Sequence, residues 1–344
     1  MAGVPIPILV GAPVAMLGVM STISPSVANV TKRMVEYLRA YAHMIFTTES
    51  NFKGRLKSLP DPDLIKNASN LQRVDMIFIR HGESEWNGVF NKDKGIMKVF
   101  LIVLRLIRAL FLEFFCMMKG DSIFLDSPLN SDGANQARLL LKFLFEGQNN
   151  KDRLVDILAG NQGKSIIVSS NLRRCVETGT VALWGRLQRT KEKIHILSDL
   201  QEISRNVDTM ALSPPMGVPP LDRLQQLLED PNANFGELFE TSGNAGQKLV
   251  FESAAERVIR FSSWCFDSPH TKSGENTIIV NGHSLYFKTF FNTFLPRNED
   301  HDAKKKKIVN TGAVAFTFYR GLVNDTYVYR IDPESIKVIF GGFK

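Results

Sequence analysis

Three short runs of unbroken hydrophobicity, Met76-Ile77-Phe78-Ile79, Ile166-Ile167-Val168 and Ile278-Ile279-Val280, punctuate a chain that is otherwise patterned helically. A strand with one face in water alternates apolar and polar residues. These runs do not, so they read as strands buried on both faces, as in a parallel-type sheet held between helices. Between them, apolar residues recur at helical spacing over 132–145, where Ala134, Ala137, Leu140, Leu141 and Leu144 share one side, and again over 172–187, 252–266 and 285–295. The alternation predicts an α/β fold, a three-layer α/β/α sandwich. The stretches 313–319 and 326–331 alternate in character and are expected as edge strands.

Upstream, Met34, Val35, Leu38, Tyr41, Ala42 and Ile45 follow a period of 3.6 and predict an amphipathic helix over 31–46. Residues 51–72, with Pro60 and Pro62, read as a linker. A boundary near Leu71 gives an N-terminal extension (1–70) and a main domain (71–344). No charged side chain precedes Lys32, and 4–20 is largely apolar. A targeting or membrane-associated segment is one reading. Against it, a secretory signal begins with basic residues, and Pro5, Pro7 and Pro13 would interrupt a spanning helix. A tail that is disordered or packed on the surface is the preferred expectation.

With 44% hydrophobic residues in 344, the chain can bury a full core. Its 42 basic and 35 acidic side chains give a net charge of +7, which suits an anionic ligand. The charge is dispersed along the chain, so nucleic-acid binding is not expected. Cys116, Cys175 and Cys265 are widely spaced and form no CxxC pair. They suggest neither a disulfide framework nor a zinc site, and a reducing, cytoplasmic setting is expected.

In open α/β sheets, ligands bind at the carboxyl ends of the strands, where loops and helix N-termini converge. The three apolar runs lead into Arg80-His81-Gly82-Glu83-Ser84, Ser169-Ser170-Asn171-Leu172-Arg173-Arg174 and Asn281-Gly282-His283-Ser284. Such a site holds two imidazoles and at least one guanidinium with no carboxylate cluster, so phosphate is a more natural occupant than a metal.

These residues match a known pattern. Arg80-His81-Gly82-Glu83-Ser84-Glu85-Trp86-Asn87 resembles the RHGE(S)xWN signature of the histidine phosphatase superfamily, to which the cofactor-dependent phosphoglycerate mutases belong. Ser170-Asn171-Leu172-Arg173-Arg174-Cys175 with Thr178 resembles its second motif, SxLxRAxxT, which puts the phosphate-clamping arginine at Arg174. Leu200-Gln201-Glu202 falls where the family carries its acid, and Gly282-His283-Ser284 looks like its second histidine. Asp126-Ser127-Pro128-Leu129, with Gly133, Gln136 and Ala137, is similar to the segment after the first motif. The resemblance runs from about Val74 to the C-terminus and implies a phosphoglycerate mutase-like fold. It departs from the mutases at Ile203-Ser204-Arg205-Asn206, where they carry a tyrosine-glycine run, and in lacking their basic, proline-rich substrate loop.

The resemblance implies a phosphatase acting through a phosphohistidine on His81, with a mutase-type phosphotransferase or a phosphate-binding scaffold as alternatives. Arg80 and Arg174 would keep His81 unprotonated and, with His283 and Asn87, stabilise the transferring phosphoryl group. Glu202 would protonate the leaving oxygen and then activate water. Ser284 and Arg205 are further candidates for substrate contact; no metal or cofactor is expected. Each residue also has a plainer role: a core histidine for His81 or His283, a helix cap for Glu202, Asn87 or Ser284, a surface charge for Arg205.

Compact members of the family lack residues 97–118. This segment is long enough to cross a bilayer, but Lys98, Arg105, Arg108 and Glu113 fall within an arc of roughly 140°, which predicts an amphipathic helix. Packing of its apolar face on the protein's own core or on the 31–46 helix, beside the active site, is the favoured expectation. A lid, a partner surface or a peripheral membrane contact are the alternatives.

Overall fold

The computed structural model describes residues 22, 24–49, 52–90, 97–146, 152–272 and 277–344. The apolar 4–20 stretch lies outside them. Eight strands form one mixed sheet: β1 (Ser69–Arg80), β2 (Ser165–Ser170), β3 (Ile194–Leu197), β4 (Phe239–Glu240), β5 (Thr277–Gly282), β6 (Ala313–Val323), β7 (Thr326–Ile331) and β8 (Lys337–Phe340). The order is β4-β3-β2-β5-β1-β6-β7, with β8 also on β6. Strands β4 through β1 are parallel, while β6 runs antiparallel to β1, β7 and β8.

Alternate residues of the central strands feed two cores. Met76, Phe78, Ile166, Val168, Ile278 and Val280 face one side, with α7 (Ala254–Asp267) and α8 (Ser284–Phe294). Ile77, Ile79, Ile167 and Ile279 face the other, with α4 (Ser131–Glu146), α5 (Arg153–Ala159) and α6 (Arg173–Ala182). Local signals fix several helix ends. Ser253 and Glu256 form a reciprocal capping box on α7. The Asp152 side chain caps α5, and Gly160 closes it at φ 73°.

Several sequence expectations change, among them the linker over 51–72, which holds a short helix at Phe52–Lys57 and the first residues of β1. The segment 313–319 is not an edge: β6 lies inside the sheet, buried on both faces at its start. Its alternation is one of size, with Ala313 and Ala315 in one core and Val314, Phe316 and Phe318 in the other. The segment 172–187 is two helices, α6 and a short helix from Trp184, with a break at Leu183.

Upstream of the sheet, α1 (Pro25–Phe46) begins earlier than the 31–46 pattern suggests, with Pro25 preset for the first turn. After the first motif come α2 (Glu85–Phe90) and α3 (Met97–Met118). The helix over 97–118 does lie beside the loop carrying His81, because Trp86, Val89 and Phe90 of α2 pack with Leu106 and Ala109 of α3. Its apolar residues pack only in part, Leu106, Ala109 and Cys116 joining Tyr37 of α1 and Trp86. Leu104 and Phe111 are exposed, and the buried flank holds Ala109 and Glu113. The Glu113 carboxylate accepts from Tyr37 Oη (2.7 Å), Ser122 Oγ (2.7 Å) and the Ile123 amide (2.7 Å), so its burial is compensated by hydrogen bonds.

Candidate active site

Strands β2, β5 and β1 are adjacent and parallel, so their carboxyl ends meet. Register pairs Arg80 with Gly282, and the His81 amide donates to Gly282 O at 3.0 Å. His81 and His283, each one residue past its strand, therefore sit side by side with ring centroids 5.2 Å apart. Close backbone packing sets the turn after β1. A Cβ on Gly82 would lie 2.6 Å from Gly133 O at the start of α4, so a side chain there would force the loop outward. The Gly82 amide donates to Thr178 Oγ1 (3.0 Å), which donates to Arg174 O (2.6 Å), tying the two motifs together. On the opposite side, Phe287, Phe290 and Phe291 of α8 pack around Phe78, with Phe287 stacked at 4.0 Å. They hold the start of α8, and His283 before it, against the sheet edge.

His81 Nδ1 lies 2.6 Å from Gly82 O. A carbonyl only accepts, so Nδ1 carries the proton and Nε2 keeps its lone pair. Burial, then Arg174 and Arg80, hold its pKa well below the ordinary value, so the ring is neutral at neutral pH. Burial and the same arginines also depress His283, whose Nε2 lies 2.9 Å from Ser170 Oγ. Arg80 Nη1 donates to Ile308 O at 2.8 Å; burial lowers its pKa to about 10 against the pull of Glu202, which leaves it cationic. Arg174 Nη1 donates to Asp208 O (2.7 Å) and Nη2 sits 3.5 Å from Asp208 Oδ2. Arg173 points elsewhere, to Asp121 Oδ1 (2.6 Å) and to the carbonyls of Ser122 and Asp126.

Two buried donors beside His81 are left over. Among the described residues, neither Arg80 Nε nor Arg174 Nε has a hydrogen-bond partner. A buried N–H without an acceptor is costly, and these two belong to guanidiniums whose Nη1 is fixed by a backbone carbonyl. An oxyanion bound between them would complete both.

Glu202 is buried below the first turn of α8. Its Oε1 accepts from the amides of Ile203 (2.9 Å) and Tyr286 (3.0 Å), and Oε2 is 3.5 Å from the Leu285 amide. The helix-capping role is thus present, and Oε2 is the less engaged oxygen. Burial raises the carboxyl pKa against the pull of Arg174 and those amides.

His81, His283, Arg80, Arg174 and Glu202 are brought together, linked by these contacts or by the charges that act on one another. Ser284 opens α8 next to His283, and Asn87 lies one turn into α2, its amide donating to Ser84 Oγ. Arg205 is not part of the cluster. It is exposed, and its charge acts on His43. Among the described residues no group of three or more His, Cys, Asp or Glu side chains is placed to hold a metal ion.

Sequence reasoning missed what supports the acid. Lys248 is buried, and its Nζ donates to Glu202 O (2.9 Å) and Ser204 O (2.7 Å), holding the loop that bears Glu202. The N-terminal extension supplies its counter-charge: Glu49 Oε1 lies 3.3 Å from Lys248 Nζ and 2.6 Å from Arg257 Nη2. Burial lowers Lys248 to about 8, opposed by Glu49. Burial would raise Glu49, yet Lys248 and Arg257 hold its carboxyl below the usual range. Asp208, the partner of Arg174, was missed as well. None of these lies in a motif, and their spacings of 34 to 208 residues leave no local signal.

No family model matches the sequence, and no curated protein matches it. Among solved structures, several are similar to this chain. A mycobacterial glucosyl-3-phosphoglycerate phosphatase is 14% identical, covering 75% of this chain and 97% of that one, with a TM-score of 0.36. A phosphoserine phosphatase from Entamoeba histolytica is 18% identical over 74% of this chain and 94% of that one, TM-score 0.33. A phosphoglycerate mutase from Bacillus anthracis is 14% identical over 78% and 94%, TM-score 0.37.

Proposed function

We propose that this chain is a member of the histidine phosphatase superfamily that hydrolyses a phosphomonoester through a phosphohistidine on His81. The observation that carries the reading is the unprotonated Nε2 of His81 beside two buried guanidiniums, each with an Nε–H that lacks an acceptor.

The Nε2 lone pair attacks phosphorus as the bond to the leaving oxygen breaks. Charge gathers on the equatorial oxygens, which Arg80 and Arg174 stabilise, with His283 packed beside His81. Glu202, its pKa raised by burial, gives a proton to the departing alkoxide through Oε2. The same carboxylate then takes a proton from water as water attacks the phosphohistidine, releasing inorganic phosphate and restoring His81. All five side chains are less than a tenth exposed, so the part of a substrate beyond its phosphoryl group would meet the surrounding loops.

Phosphate release from an aryl phosphate tests this. The parent is expected to turn over and to be inhibited by vanadate; His81→Ala is expected to lose turnover. Equal release by parent and His81→Ala would refute the assignment. Transfer between phosphoglycerates faster than hydrolysis would make the protein a mutase instead.

A further inference from the structure

Helices α1 and α3 lie against one another, joined by the Tyr37–Glu113 hydrogen bond (2.7 Å), by Asn29 Nδ2 donating to Met118 O (3.1 Å) and by Arg33 on Gly120 O. Each of them exposes large apolar side chains. Leu38 and Ile45 of α1 are 68% and 65% exposed, and Ile107 and Phe111 of α3 are 61% and 67% exposed. Exposure on this scale, far beyond scattered single residues, marks a surface that meets something.

The charges say what. Both acids of the two helices are spent internally, Glu36 on Arg33 and Glu113 in its buried cluster. Among the described residues of α1 and α3, the exposed charged side chains are Lys32, Arg39 and Arg108, all cationic. The chain leading into α1 has no charged side chain before Lys32. No helix among the described residues is long and apolar enough to cross a membrane.

We infer that the α1–α3 face lies on the surface of an anionic lipid bilayer. Apolar side chains flanked by cations are what an interfacial helix presents to acyl chains and acidic headgroups. A second copy fits less well, since self-pairing would set Lys32, Arg39 and Arg108 against like charges with no acid on the face to receive them. This inference is independent of the proposed reaction.

Co-sedimentation of the full chain with phosphatidylcholine vesicles, with and without phosphatidylserine, tests it. Binding is expected with phosphatidylserine and is expected to weaken as salt rises. The double variant Leu38→Glu, Phe111→Glu should lower the affinity by at least about tenfold, given the area that each side chain would bury. Its melting temperature should be unchanged, because both side chains are already in water. The inference is overturned if the parent ignores phosphatidylserine vesicles, or if the double variant binds as the parent does. It is equally overturned if the parent forms a concentration-dependent dimer, or holds a protein partner, that the double variant abolishes while lipid binding persists.

Discussion

Removing the Glu49 carboxylate should damage the fold and the catalytic loop together. In Glu49→Ala, Lys248 and Arg257 lose their shared counter-charge in a place where all three side chains are at most 2% exposed. Taking one partner out of a buried ionic cluster costs about 3–5 kcal/mol, because the remaining charge stays desolvated and unpaired. Lys248 can limit its share by shedding its proton. Its pKa is already lowered to about 8 with Glu49 present, and without Glu49 it falls further. Arg257 has no such escape, since a guanidinium does not deprotonate in a protein. The expected loss is therefore about 3–5 kcal/mol, or on the order of 10 °C in melting temperature. Urea unfolding of parent and variant gives the difference directly. The triple variant Glu49→Met, Lys248→Met, Arg257→Met removes the charges together and should recover most of the loss. Because Lys248 Nζ holds the carbonyls of Glu202 and Ser204, both variants should still turn over slowly. A Glu49→Ala protein within about 1 kcal/mol of the parent would refute the reasoning, that being the scale of an exposed pair.

Other consequences are checked more simply. Glu202→Gln cannot shuttle a proton and should lower kcat by about 10²–10⁴ with KM little changed; unchanged turnover would move the acid role to another residue. Arg174→Lys keeps the charge but loses the fork that holds Asp208 and presents Nε, and should lower kcat by about 10²–10³ in a steady-state assay. Burial lowers the pKa of His43 to about 4 from 6.5. Between those values the unfolded chain binds the extra proton, so the contribution is present above pH 6.5 and is lost as pH falls through 4. Relative to His43→Gln, the parent should lose melting temperature across that window, and parallel curves would contradict the sign.

The parts legible in the sequence are those where one physical signal dominates. Ile77 and Phe78, or Ile279 and Val280, face opposite cores, and only a strand covered on both sides needs apolar residues in succession. The residues that follow such strands were legible as chemistry for the same reason, since the sheet brings their ends together. Strand β6 was misread because alternation of Ala and Phe looks like inside and outside when it is small and large. The break at Leu183 carries no glycine or proline, and β3 and β4 are too short to show a period. The amphipathic pattern of α3 is real, yet a pattern does not say which face meets water. Glu113 turns inward because Tyr37 and Ser122, distant in sequence, satisfy it.

The central claim is a covalent bond between phosphorus and His81. Brief exposure to an aryl phosphate, followed by rapid alkaline quenching and peptide mass mapping, reads it out. An acid-labile, base-stable phosphoryl group is expected on the peptide containing His81, accumulating further in Glu202→Gln and lost in His81→Ala. A phosphoryl group mapped to His283, or turnover with none found in either protein, would contradict it.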